Sequence, residues 1–163
     1  TLKTIANHGQ EKRYYHDIVG CNSRLDSIQA AILNIKLKHL DRYNQARANV
    51  ATFYNQAFEN CAAITTPKTA RYSTHVFHQY TMLFEGDRDG LIAHLASMGI
   101  PSMIYYPVPG HKQKMFDAFH LPEQQLETTD FLTTRVISLP IHTEMDMEQL
   151  TYITEAVLNF INK

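Results

Sequence analysis

Between Arg24 and Asn60 the chain carries neither glycine nor proline. Apolar side chains recur there at the spacing of a helix face: Leu25, Ile28, Ile32 and Ile35, then Tyr43, Ala46, Val50, Phe53 and Ala57. At the α-helical rise such a rod would be roughly 50 Å long, with a bend. A small domain does not need that length to cover its own core. A helix this long is expected to reach across to another domain or subunit. The residues before it, Ser23-Arg24-Leu25-Asp26, have the form of a capping box, a hydroxyl followed three residues on by an acid.

The elements around this rod are short. Leu2 and Ile5 resemble the last turn of a helix, with Gly9 as its stop, and the chain opens without Met, as a piece of a longer protein would. Residues 10 to 22 are polar and tyrosine-rich and are expected to form an extended loop or hairpin. Past Ile64 the period changes. Thr65-Thr66-Pro67 closes a short strand, and Val76 to Phe84 is a strand candidate rich in β-branched and aromatic residues. Asp87 can cap a helix bearing Leu91, Ile92, Leu95 and Met98, which Gly99 and Pro101 then stop. Ser102 to Tyr106 reads as a strand. A short helix over Lys112 to Phe119 and another from about Glu123 to Thr134 follow. Val136 to Leu139 is the last strand, and Thr143 caps a final helix carrying Met147, Leu150, Ile153, Val157 and Ile161. The order predicts an α+β fold, a small, mostly antiparallel sheet with helices on one side, organised as one domain with an N-terminal arm.

Composition narrows the function classes. With 44% hydrophobic residues the chain of 163 residues can bury a core. Its 15 basic and 16 acidic residues leave a net charge of −1, no footprint for nucleic acid or an anionic membrane. Apolar runs are too short to span a bilayer. Cys21 and Cys61 make no disulfide framework and lack metal-ligand spacing, which fits a reducing, cytoplasmic setting. The nine histidines are scattered, and His75 and His78 on a strand would face opposite ways, so no metal site is expected. There is no nucleophile elbow and no glycine-rich phosphate loop.

Three segments hold polar residues that a fold would not demand. In Gly20-Cys21-Asn22-Ser23-Arg24-Leu25-Asp26, an amide and a guanidinium stand at the head of the longest helix, where backbone N–H groups and the helix dipole favour an anion. Asn22 could donate to a phosphate oxygen and Arg24 could grip one bidentately. A cap with a surface salt bridge would look the same. In Tyr105-Tyr106-Pro107-Val108-Pro109-Gly110-His111-Lys112-Gln113, the prolines make a rigid turn that can hold His111 and the tyrosine hydroxyls for a polar ligand, or simply pack well. Ser138-Leu139-Pro140-Ile141-His142 reads as structural.

Taken in order, Asn7-His8-Gly9, Gly20-x-Asn22-x-Arg24-Leu25-Asp26-x-x-Gln29-Ala30-Ala31-Ile32-Leu33, Tyr106-Pro107-x-Pro109-x-His111-x-Gln113 and Leu139-Pro140-x-His142 closely resemble the C-terminal part of the DegT/DnrJ/EryC1/StrS family. The Asn-x-Arg-Leu-Asp-x-x-Gln-Ala-Ala segment is the most specific of them. The resemblance implies the C-terminal small domain of a fold type I, aspartate aminotransferase-like enzyme that uses pyridoxal 5′-phosphate (PLP). Residues 1–60 would be the end of the large-domain region and the interdomain helix, and 61–163 the small α+β domain. The reaction implied moves an amino group from glutamate to a nucleotide-linked keto-sugar, for lipopolysaccharide O-antigen, capsule or antibiotic sugars. The implied assembly is a homodimer with shared active sites. Asn22 would bind the PLP phosphate in the partner's site, Arg24 the sugar-nucleotide phosphates, and Tyr105, Tyr106 and His111 would line the sugar-nucleotide pocket.

In such enzymes the Schiff-base lysine precedes the Asn-His-Gly segment, and no lysine here lies in a comparable context. No catalytic residue is therefore assigned, and the chain alone is expected not to transaminate. A PLP-dependent sugar dehydratase of the same family, and a non-catalytic dimerisation or interaction module, are the alternatives.

Overall fold

The computed structural model describes every residue except Leu121, Glu123 and Lys163. Two compact units make up the chain, Thr1–Asp41 and Arg42–Lys163.

The first unit opens with α1 (Leu2–Ala6), followed by a hairpin of β1 (Gln10–Lys12) and β2 (Tyr15–His16), then α2 (Ser27–Leu37). Two glycines are required here by close approach. A Cβ on Gly9, which sits at φ +76°, would lie 1.7 Å from the Ile18 carbonyl oxygen, and one on Gly20 would lie 2.1 Å from the Gly9 nitrogen. The capping box exists but is shifted: the cap is Asp26, whose carboxylate accepts from the Gln29 N–H at 2.7 Å, not Ser23. α2 buries none of its residues, and Ile28, Ile32 and Ile35 are exposed.

The uninterrupted rod expected over 24 to 60 is two helices. α3 (Leu40–Ala57) is the longest, at 18 residues, and α2 has 11. The break at Lys38-His39 has no glycine or proline; the chain tightens instead, with His39 N–H bonded to the Lys36 carbonyl at 2.9 Å. Asp41 in the first turn of α3 then suits the new helix dipole.

The second unit is built on one antiparallel sheet in the order β3 (Ile64–Thr65), β4 (Tyr80–Phe84), β5 (Val136–Leu139). Alternation decides its faces. Tyr80, Met82 and Phe84 are buried, and their partners across the ladders are Leu139, Ile137 and Ile64. Against that face pack α3, through Val50, Ala51 and Tyr54, and α4 (Arg88–Ser97), through Leu91 and Leu95. α6 (Met147–Ile161) adds Leu150, Ile153, Ala156 and Val157. Each buried Val, Leu or Ile among them contributes about 1.5–3 kcal/mol by leaving water. Thr81 and Ser138 are paired on the opposite face, where their hydroxyls meet at 2.7 Å.

Asp87 caps α4 by accepting from the Gly90 N–H, and Gly99 ends it at φ +72°, as expected. Other expectations are corrected. The strand from Val76 is shortened to Tyr80 because Phe77 takes a left-handed φ of +46°. Ser102 to Tyr106 is no strand: Met103 makes a single bridge to Ser138, between prolines that lack N–H donors. The helix over Lys112 to Phe119 is a pair of 3-10 turns, Gly110–Lys112 and Lys114–Phe119. α5 spans Glu127–Thr133; the start expected at Glu123 lies outside the described residues. Asp146, not Thr143, caps α6, because Asp146 and Gln149 bond reciprocally at 2.8 and 3.2 Å.

Candidate functional site

In the first unit, Asn22 and Arg24 sit on an extended segment held by backbone pairing to the end of α1. Cys21 and Ser23 donate to the Ile5 and Ala6 carbonyls at 2.8 and 2.9 Å, and Asn22 bridges Asn7. The Arg24 Nε donates to the Asn22 Oδ1 at 2.8 Å. That bond uses one of the two lone pairs of the amide oxygen. The donors left over are the Asn22 Nδ2 and both terminal nitrogens of Arg24, which have no hydrogen-bond or ion-pair partner among the described residues. Both side chains are exposed.

The anion preference traced to the head of the longest helix needs correction. These residues precede α2, not the longer α3, and Asp26 already places a carboxylate on the N-terminal N–H groups of α2. The donor character comes from the two side chains themselves.

In the second unit, Tyr105 and Tyr106 line one pocket of about 410 Å³, with Gln113, Thr133 of α5 and Val136 of β5. The loop is fixed at both ends. Met103 and Ser138 exchange backbone hydrogen bonds at 3.1 and 2.8 Å, and Lys112 pairs with Asp130 of α5. His111 lies on the 3-10 turn of this loop but outside the lining of that pocket; its Nε2 is buried, with no hydrogen-bond partner among the described residues.

Behind the sheet, Arg47 of α3 is a residue that sequence reasoning missed. Its guanidinium donates to three carbonyls, Phe77 at 3.4 Å, His78 at 3.1 Å and Ile141 at 3.1 Å. In the sequence it is one more cation on an amphipathic helix, with no signal to mark it. The phenol of Tyr54 donates to the Pro140 carbonyl at 2.8 Å and that of Tyr80 to the Asn55 Oδ1 at 2.7 Å. Burial pushes both phenols well above the usual tyrosine range. The Tyr54 and Arg47 bonds hold the Pro140-Ile141 corner. Among the described residues there is no cluster of His, Cys, Asp and Glu able to hold a metal ion, and no helix long and apolar enough to cross a membrane.

This architecture and these motifs coincide with a known family. Residues 1–158 match the model of the DegT/DnrJ/EryC1/StrS aminotransferase family. The chain belongs to that family. DegT/DnrJ/EryC1/StrS aminotransferases are PLP-dependent. Among curated relatives, a pleiotropic regulatory protein of Geobacillus stearothermophilus is 39% identical over 97% of this chain and 43% of its own length. A UDP-N-acetyl-3-dehydro-alpha-D-glucosamine 3-aminotransferase of Acidithiobacillus ferrooxidans is 38% identical over 96% of this chain and 41% of its own. Among solved structures, S. venezuelae DesV in complex with a ketimine intermediate superposes with a TM-score of 0.89 at 34% identity, over 99% of this chain and 43% of DesV. The chain thus spans less than half the length of these relatives. Its fold is that of the C-terminal part of fold type I sugar aminotransferases.

Proposed function

We infer that this chain is the C-terminal part of a PLP-dependent aminotransferase moving an amino group from glutamate to a nucleotide-linked keto-sugar. The observation that carries this is the Arg24–Asn22 hydrogen bond, which sets the Asn22 Nδ2 and the terminal nitrogens of Arg24 side by side as uncommitted donors. Such donors match phosphate, which offers only acceptors at neutral pH. Asn22 would donate to the phosphate of PLP, and Arg24 to the phosphates of the sugar nucleotide. PLP, when bound, supplies the electron sink for the carbanion chemistry of amino transfer. Tyr105, Tyr106 and His111 would line the sugar-nucleotide pocket; the shared lining by the two tyrosines supports this, and His111 would join through its unpaired Nε2.

The wider reading follows the same family. Residues 1–60 would close the large-domain region and link it to 61–163. The exposed apolar side chains of α2 support a homodimer in which Asn22 and Arg24 serve the partner's site. Two free cysteines fit a cytoplasmic setting, and the products would feed cell-surface polysaccharide or O-antigen.

The test uses the complete gene product, supplied with glutamate and a UDP- or dTDP-linked 3-keto-hexose. Formation of the amino-sugar with release of 2-oxoglutarate is expected; turnover to a deoxy product without consumption of glutamate would point to the dehydratase reading instead. For the present chain, borohydride treatment with PLP should trap no stoichiometric lysine adduct, and a site-specific one would overturn the assignment of that lysine to another segment.

A further inference from the structure

The exposed ring of His16, at the end of β2, bonds the His8 carbonyl through its Nδ1 at 2.8 Å. A carbonyl only accepts, so Nδ1 carries the proton and donates. His8 itself is strained: its φ is +61°, a left-handed conformation that residues other than glycine disfavour. Its N–H donates to the Cys21 carbonyl at 2.9 Å, one residue before Asn22. The next residue is held from the same side as His8. The Gly9 carbonyl accepts from the Asp17 and Ile18 N–H groups at 2.9 and 3.3 Å. Residues 16 to 18 therefore grip the His8-Gly9 turn by both of its carbonyls, and the turn grips the extended segment that bears Asn22 and Arg24. Every residue in this chain of bonds belongs to the first unit.

We propose that His16 is a positioning residue for Asn22. Its Nδ1–H fixes the left-handed His8 peptide, and the His8 N–H in turn fixes the Cys21 carbonyl and the placement of the Asn22 amide beside it. The proposal rests on the assignment of Asn22 to the PLP phosphate given above. His16 acts through the backbone of His8 rather than by packing, because its ring is exposed and fills no part of a core. Without that ring the His8 carbonyl turns to water, and the folded state loses little. What is lost is direction. His8 becomes free to leave the left-handed region, its N–H swings off the Cys21 carbonyl, and the Asn22 donor is spread over several orientations. A hydrogen bond weakens steeply once donor and acceptor are misaligned.

Two variants of the complete gene product test this. His16→Phe keeps a flat ring and removes the donor, whereas His16→Asn restores an N–H group the same number of bonds from the backbone as Nδ1. In equilibrium dialysis His16→Phe should weaken PLP retention about fivefold, and His16→Asn should return it to within about twofold of the parent. The urea midpoints of both cofactor-free variants should stay at the parent's value. In the isotopically labelled chain, the backbone amides of His8, Cys21 and Asn22 should shift in His16→Phe and return in His16→Asn. Parent-like PLP retention in His16→Phe, unmoved amides, or an equal loss in both variants would overturn the positioning role. So would a loss of PLP matched by a fall in the urea midpoint, the mark of a merely structural residue. Asn22→Ala, measured alongside, keeps the two readings apart. If it loses PLP while His16→Phe does not, only the role of His16 falls; if it retains PLP as the parent does, the assignment of Asn22 falls and the role of His16 with it.

Discussion

The Tyr54 hydroxyl donates to the Pro140 carbonyl across 2.8 Å, joining the middle of α3 to the corner that follows β5. Tyr54 is fully buried, its ring 4.9 Å from that of Tyr80. Replacing it by phenylalanine keeps the packing and strands the carbonyl. Tyr54→Phe is expected to lose about 1–2 kcal/mol of unfolding free energy, read as a lower urea midpoint with an unchanged slope.

The same two phenols give the fold an alkaline limit. In the folded state burial holds Tyr54 and Tyr80 protonated well above the usual range, whereas in the unfolded chain they ionise near pH 10. The unfolded state then binds fewer protons than the folded one, so stability falls as pH rises beyond about 10. Each buried phenol contributes a slope of about 1.4 kcal/mol per pH unit there. Thermal melts from pH 8 to 12 should show the decline, and a Tyr80→Phe variant a shallower one.

Arg47 makes a different kind of tie. One guanidinium satisfies two carbonyls just before β4 and a third at the Ile141 corner. Arg47→Met preserves the aliphatic stem but leaves three carbonyls short of a donor. A loss of about 2–3 kcal/mol is expected by chemical denaturation; Arg47→Lys, with no planar fork, should recover only part of it.

For the cofactor, Asn22→Ala in the complete enzyme should weaken PLP retention by about 1.5–3 kcal/mol, the worth of one hydrogen bond to a charged group. Equilibrium dialysis measures it. Arg24→Ala should chiefly raise the KM for the nucleotide sugar; a defect confined to the glutamate half-reaction would contradict its assignment.

Ile28, Ile32 and Ile35 share one face of α2, all of them exposed. If that face meets a second copy, Ile32→Lys should shift the chain from dimer to monomer in sedimentation velocity, with the far-ultraviolet spectrum unchanged. A parent chain that sediments as a monomer at every concentration would remove the dimer from the proposal for this segment.

Much of the second unit was legible because its signals are local. Asp87 and Gly99 bound α4 by chemistry that needs no tertiary context. The alternation Tyr80-Met82-Phe84 marks a strand with one buried face. The misses share a cause. Ser23 and Thr143 are plausible caps, but Asp26 and Asp146 each have a glutamine at the third helical position and so form reciprocal bonds. The break at Lys38 has no glycine or proline to announce it, and the left-handed Phe77 is set by its bond to His75 and by burial. At the site, the motifs drew attention to Asn22, Arg24, Tyr105 and Tyr106. The recess lined by His78 and Gln79 was invisible because it exists only once β4, β5 and the Met103 bridge lie side by side.

Of residues 1–41, only Thr4 and Gly9 are buried. With no apolar interior of its own to resist opening, this stretch should trade its amide hydrogens for deuterium far sooner than β4 does, and a protease added to the chain should nick it before reaching α3. Slow exchange across α2 would then serve as a direct gauge of whatever surface comes to shield it.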